Sequence, residues 1–63
     1  MKYYHITANA ADFGIHAAES NQDARNIAAR LIGYESEHEM EAQLEQKSAL
    51  VAVTATPEEF AAQ

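Results

Sequence analysis

Tyr3-Tyr4-His5-Ile6-Thr7-Ala8, then Asn9-Ala10-Ala11-Asp12, then Phe13-Gly14-Ile15-His16-Ala17-Ala18: the fold class turns on residues 3–18. The outer segments are rich in β-branched and aromatic residues, the composition of strands. The segment between them has turn formers at both ends, Asn9 and Asp12. Pairing Ala8 with Phe13 predicts a hairpin in which Ile6 faces Ile15, Tyr4 faces Ala17 and His5 faces His16. One face then collects Tyr4, Ile6, Ala8, Phe13, Ile15 and Ala17. The other collects Tyr3, His5, Thr7, Gly14, His16 and Ala18. Side chains alternate with period two, so a slip of one residue would mix the faces. The apolar pattern selects this register.

Beyond the hairpin, Ser20-Asn21-Gln22-Asp23 resembles a capping box, with Asp in the place usual for Glu. Ala24, Ile27, Ala28, Leu31 and Ile32 follow at the spacing of one helical face, and Gly33 is placed to end the helix. The spacing predicts a helix over 21–32 lying across the Tyr4/Ile6/Phe13/Ile15 face.

Residues 36–47 admit two readings. Ser36-Glu37-His38-Glu39 is a capping box followed by good helix formers, with Met40 and Leu44 four apart. The same stretch alternates His38, Met40, Ala42 and Leu44 with Glu37, Glu39, Glu41, Gln43 and Glu45, the period of a strand. A helix puts Glu37 and Glu41 close to the Met40/Leu44 stripe, but a strand rich in Glu, Gln and Ala runs against β-propensity. The helix is preferred.

Ala49–Ala55 is apolar on both faces and reads as a third strand that is well covered. Thr56-Pro57-Glu58-Glu59 then puts a cap, an N1 proline and an N3 glutamate in order, so a short helical turn follows with Phe60 packing back. The last residues are expected to fray. The architecture is α+β, in the order β-β-α-α-β with a terminal turn. Its three-stranded, mostly antiparallel sheet is packed on helices, and residues 1–63 form one domain. Reading 37–45 as a strand would give β-β-α-β-β in the same class.

A chain of 63 residues without Cys has no disulfide or thiolate metal site to brace it. It leaves little room for a deep cleft beside its core. No stretch approaches the ~20 apolar residues of a membrane span, and Met1–His5 lacks the apolar region of a secretory signal. A cytoplasmic protein is expected. Net charge is −6 and is unevenly placed. Residues 1–33 balance Asp12, Glu19 and Asp23 with Lys2, Arg25 and Arg30. Residues 34–63 set Glu35, Glu37, Glu39, Glu41, Glu45, Glu58 and Glu59 against Lys47 alone. Such asymmetry points to a functional face and argues against direct nucleic-acid binding, which needs Lys and Arg on phosphates.

Catalysis finds little footing. Glu37, Glu39 and Glu41 would need one carboxyl desolvated in a pocket to do acid–base work, and a run of like charge keeps them ionised. Gly14 and Gly33, the only glycines, make no phosphate loop, and no nucleophile–base pair stands out. No enzyme, no cofactor and no metal are therefore expected. His5 and His16, a cross-strand pair in the proposed register, come near enough to share a metal, but no spacing signature completes a ligand set.

The acidic run 35–45 is the strongest feature: five glutamates with no basic residue among them. On a helix or a strand it makes a row of carboxylates spaced much like backbone phosphates. Glu37, Glu39, Glu41 and Glu45, with Glu35 at the margin, are the candidate partner-binding residues. Tyr34 and Met40 are the candidate apolar contacts, because charge pairing alone confers little specificity. The partner expected is a basic, DNA-binding protein or complex, met by a monomer.

The hairpin 3–18, the run Ser20 to Gly33 and the acidic run Glu35 to Glu45 together resemble phage anti-CRISPR proteins that inhibit type I Cascade, particularly small acidic ones acting on type I-C. The resemblance is one of profile and rests on no shared motif. It implies a stoichiometric inhibitor, working in the host cytoplasm, that fills a Lys/Arg-lined DNA channel with carboxylates standing in for phosphates. Two other classes stay open: a regulatory or structural phage protein without DNA mimicry, and a metal-binding module built on His5 and His16.

Overall fold

The computed structural model describes residues 1–63. Its elements run β1 (Lys2–Ala8), β2 (Ala11–Ala18), α1 (Asn21–Leu31), α2 (Glu37–Leu44), β3 (Leu50–Ala55) and α3 (Pro57–Ala62). The three strands form one antiparallel sheet in the order β2-β1-β3, so the fold is α+β. The ambiguous run after Ser36 is a helix, and the final turn is a short one.

The helix ends follow the local chemistry. Ser20 Oγ accepts from the Asp23 N–H at 3.1 Å and Ser36 Oγ from the Glu39 N–H at 3.1 Å, each satisfying one orphan donor of a first turn. Thr56 and Glu59 complete a reciprocal box at the start of α3. At the end of α1 the Tyr34 N–H reaches Ala29 O and the Gly33 N–H reaches Arg30 O. That is the Schellman pattern, which needs the left-handed φ of +104° that Gly33 supplies.

The hairpin departs from its predicted register. The turn is two residues long, with Asn9 at φ 54°, so Ala8 pairs with Ala11 and Thr7 with Asp12. A bulge then intervenes opposite Ile6, where Gly14 has φ +83°. Past it His5 pairs with Ile15, Tyr4 with His16 and Tyr3 with Ala17. The tight turn moves the pairing by two residues and the bulge returns it by one. The net slip of one exchanges the faces of β2. The core face therefore holds Tyr4, Ile6 and Ala18 rather than Ala17, with Phe13 packed beside them. Ile15 is buried on the opposite face, where Gln63 beyond α3 docks on its backbone.

The predicted face of α1 is also corrected. Ala24, Ala28 and Ala29 are fully buried, and these small side chains bring the helix close to both the sheet and α2. Ile27 packs partly against the core, while Leu31 is 58% exposed and Ile32 is exposed at the C-cap. A periodic stripe is buried only where an element faces it, and the last turn of α1 has no such cover. Similarly, β3 is not covered on both faces. Leu50 and Ala52 pack inward, but Val51 and Val53 stand 51% and 59% exposed on the outer face.

The last residues are held. Phe60 lies against Tyr3 with ring centroids 4.7 Å apart. The Gln63 side chain accepts from the Ile15 N–H at 2.7 Å and donates to the Ile15 carbonyl at 2.6 Å, closing part of the open edge of β2 as a further strand would.

Candidate acidic interface

The acidic run is divided by the fold. Glu37, the first residue of α2, is only 7% exposed. Its Oε1 accepts from Gln22 Nε2 at 2.9 Å and lies 3.7 Å from Arg25 Nε, while its backbone N–H donates to Asn26 Oδ1 at 2.9 Å. All three partners are on α1, so Glu37 is the polar bolt between the two helices. It does not belong to a surface row, and its assignment as a partner-binding residue is withdrawn. The same is true of Met40, which is buried in the core beside Tyr4, Ile6 and Leu50. Tyr34 is half-buried over the end of α1 and packs on that core.

The other carboxylates reach solvent in different degrees. Glu35 is exposed in the loop before α2, and Glu45 is exposed at its C-cap in the left-handed conformation, φ 55°. Glu39 is half-exposed and accepts from Gln43 Nε2 at 2.8 Å, one turn along. Glu41 is half-buried, and its Oε2 accepts from the Ser48 N–H at 3.1 Å, which ties the linker before β3 to the helix. The predicted i, i+4 stripe does not act as one: Glu37 and Glu41 turn toward the body of the protein, while Glu45 lies past the end of α2 and is exposed. The carboxylates that look outward are Glu35, Glu39 and Glu45, with Glu41 at the boundary.

Leu44 is exposed where the sequence predicts burial. Its spacing from Met40 reads as a buried stripe, yet it is 44% exposed on the last turn of α2, next to Glu45. Nothing in the local pattern separates the two positions; only the reach of the covering elements does.

The two histidines do not meet. His5 pairs with Ile15 and His16 with Tyr4, which puts them on opposite faces of the sheet. The His16 ring nitrogen Nε2 bonds the Phe13 carbonyl at 2.7 Å. His5 Nε2 bonds Asp12 Oδ1 at 2.9 Å, and the same oxygen accepts from the Gly14 N–H at 2.8 Å. These two bonds, that of Gly14 foremost, hold the Asp12 carboxyl below its ordinary 3.8. The carboxylate thus staples the bulge. A folded value below the unfolded one contributes stability above 3.8, and that contribution is lost as pH falls through the depressed value. Asp12→Asn should therefore flatten the acid side of the melting temperature against pH, below about the ordinary carboxylate range. An unchanged acid limb would show that the staple is idle.

No pocket opens on the surface, no three His, Asp or Glu side chains stand close enough to share a metal ion, and no helix is long and apolar enough to cross a membrane. Compared with known proteins, the chain matches no family model, no curated protein and no solved structure.

Proposed function

We propose that the protein is a non-catalytic inhibitor that binds a basic, nucleic-acid-binding partner through the acidic surface around α2. The observation that carries this reading is the outward placement of Glu35, Glu39 and Glu45, with Glu41 at their border, in a run that contains no basic residue. The chain's whole charge of −6 lies in the same half of the sequence. A groove shaped for phosphates has a strong positive potential, and an acidic surface of this kind is steered to it at a rate that falls with salt. Leu44 supplies the apolar contact beside the charges. The DNA channel of a type I Cascade complex, suggested by the resemblance drawn from the sequence, is the first partner to try.

The test is the triple reversal Glu35→Lys, Glu39→Lys and Glu45→Lys, which spares Glu37. Wild-type protein should be retained on the immobilised complex at low salt and released at high salt, and target DNA should compete with it. The triple variant should fold with an unchanged circular dichroism spectrum and bind at least tenfold more weakly, since charges of a field act together and each exposed pair contributes little alone. A folded triple variant that binds as tightly as wild type would refute the acidic interface.

A further inference from the structure

We propose that two copies of this chain join through the free edge of β3, in antiparallel pairing about a two-fold axis at Ala52, to make a continuous six-stranded sheet. In the order β2-β1-β3, strand β3 has a neighbour on one side only. Ala8 and Ala11 close the two-residue turn as a hydrogen-bonded pair, so Ala8 and Ile6 direct their backbone groups to β2, and Ala52, opposite Ile6, directs its own away from β1; its carbonyl accepts from Asn21 Nδ2 at 2.8 Å. By the alternation of antiparallel ladders, Leu50 and Thr54 do the same.

Edge strands are ordinarily blunted by charge, proline, a bulge or a covering segment. The other edge of this sheet is treated so: β2 carries the Gly14 bulge, and Gln63 occupies both backbone groups of Ile15. The β3 edge is not. From Ser48 to Thr56 no side chain is charged, although the chain as a whole is strongly acidic. Only two local bonds touch the edge: that of Asn21, and Ser48 Oγ accepting from the Leu50 N–H at 3.0 Å. A carbonyl oxygen has two lone pairs, so Asn21 and a second strand can share Ala52.

The register identifies the occupant. Three two-fold pairings centred inside the strand, at residues 51, 52 and 53, bring the outward residues Leu50, Ala52 and Thr54 together. Ala52 against Ala52 places Val51 of each copy opposite Val53 of the other. Leu50 against Ala52 sets Val51 against Val51 and leaves Val53 facing Ala49. Ala52 against Thr54 sets Val53 against Val53 and leaves Val51 facing Ala55. Only the first sets both exposed valines of each copy against those of the other, as two β-branched cross-strand pairs. It also leaves neither copy with an open β3 edge. A second copy thus matches this surface in hydrogen bonding, shape and lack of charge. The acidic surface around α2 takes no part in the pairing.

Edge pairing of this size makes a concentration-dependent dimer, and the experiment is sedimentation equilibrium from micromolar to millimolar protein, with cysteine cross-linking to read the register. The chain has no cysteine of its own. Opposed residues of a non-hydrogen-bonded pair have Cα atoms about 4.5 Å apart, within the range a disulfide spans. Mixing Val51→Cys chains with Val53→Cys chains under mild oxidation should give a disulfide-linked dimer several-fold more abundant than either variant gives alone. The mass should rise from one chain to two with concentration in wild type, and stay at one chain in Val53→Lys with its circular dichroism unchanged. The triple reversal of Glu35, Glu39 and Glu45 should dimerise like wild type, so this proposal and the acidic interface stand or fall separately. A mass of one chain up to millimolar, dimerisation of Val53→Lys, or self-linking of either cysteine variant as efficient as the mixture would overturn the pairing.

Discussion

Replacing Ile6 with alanine is expected to leave little or none of this protein folded at room temperature. Ile6 is the one large side chain with no exposed surface at all. It sits on the central strand, between the bulge of β2 and Ala52 of β3, and it belongs to the cluster that includes Ala24, Ala28 and Met40. Truncation of such a residue costs about 2–5 kcal/mol, toward the upper end where the surroundings cannot collapse. Collapse is hindered here because the facing helix residues are already alanines with nothing further to contribute. At roughly 0.05–0.15 kcal/mol per residue, a chain of this length has only about 3–9 kcal/mol to lose. Ile6→Val, which removes one methyl, should cost about 0.5–1.5 kcal/mol and remain folded. Thermal melts of the two variants decide the matter. An Ile6→Ala protein that melts within a few degrees of wild type would place the core elsewhere.

The second large effect is expected at Glu37, where position in the charge run is a poor guide to role. Glu37→Lys should destabilise the fold by about 3 kcal/mol, the lower part of the range for breaking a buried ion pair, because Arg25 keeps partial contact with water. The new ammonium would meet the Arg25 guanidinium and the Gln22 amide, both donors, in the space that a carboxylate acceptor now fills. Glu37→Gln keeps an acceptor and should cost less, about 1–2 kcal/mol. Glu39→Lys, two residues on and facing outward, loses only the Gln43 bond and a favourable charge in the first turn and should cost no more than about 1 kcal/mol. The contrast between neighbouring positions is the diagnostic. If Glu37→Lys proved as harmless as Glu39→Lys, the helix–helix bolt would carry no weight, and Glu37 would return to the surface row. Binding studies that reverse Glu37 together with Glu41 would confuse lost folding with lost contact, which is why the interface test avoids it.

The acidic surface itself was half legible. The run Glu35 to Glu45 and its lack of basic residues are properties of the chain, and so is the concentration of charge in the second half. Which carboxylates meet solvent is not. It depends on how α2 is rotated against α1, and that rotation is set by Gln22, Arg25 and Asn26, residues distant in sequence that carry no pattern of their own. Met40 and Leu44 show the same limit from the apolar side. They are alike in type and spacing, yet one is in the core and the other exposed, since the cover above α2 ends between them.

What the sequence determined by itself was local and short in range. The caps at Ser20, Ser36 and Thr56 bond backbone groups three residues away, so they could be read directly, and each begins the helix it announces. Gly33 ends α1 through its own backbone freedom, and the β-branched runs form the strands. What only the tertiary structure decided was relative placement. A two-residue turn at Asn9 and a bulge at Gly14 exchange the faces of β2, which sends Ile15 to the outer face and separates His5 from His16. Each shift has a small local cost and is selected by the packing it permits across the sheet. The edge of β3 is the clearest instance. Its residues read as a strand from composition alone, but that Val51 and Val53 face open solvent follows only from the strand order β2-β1-β3 and from α3 lying against Tyr3 and Ile15 instead of over them.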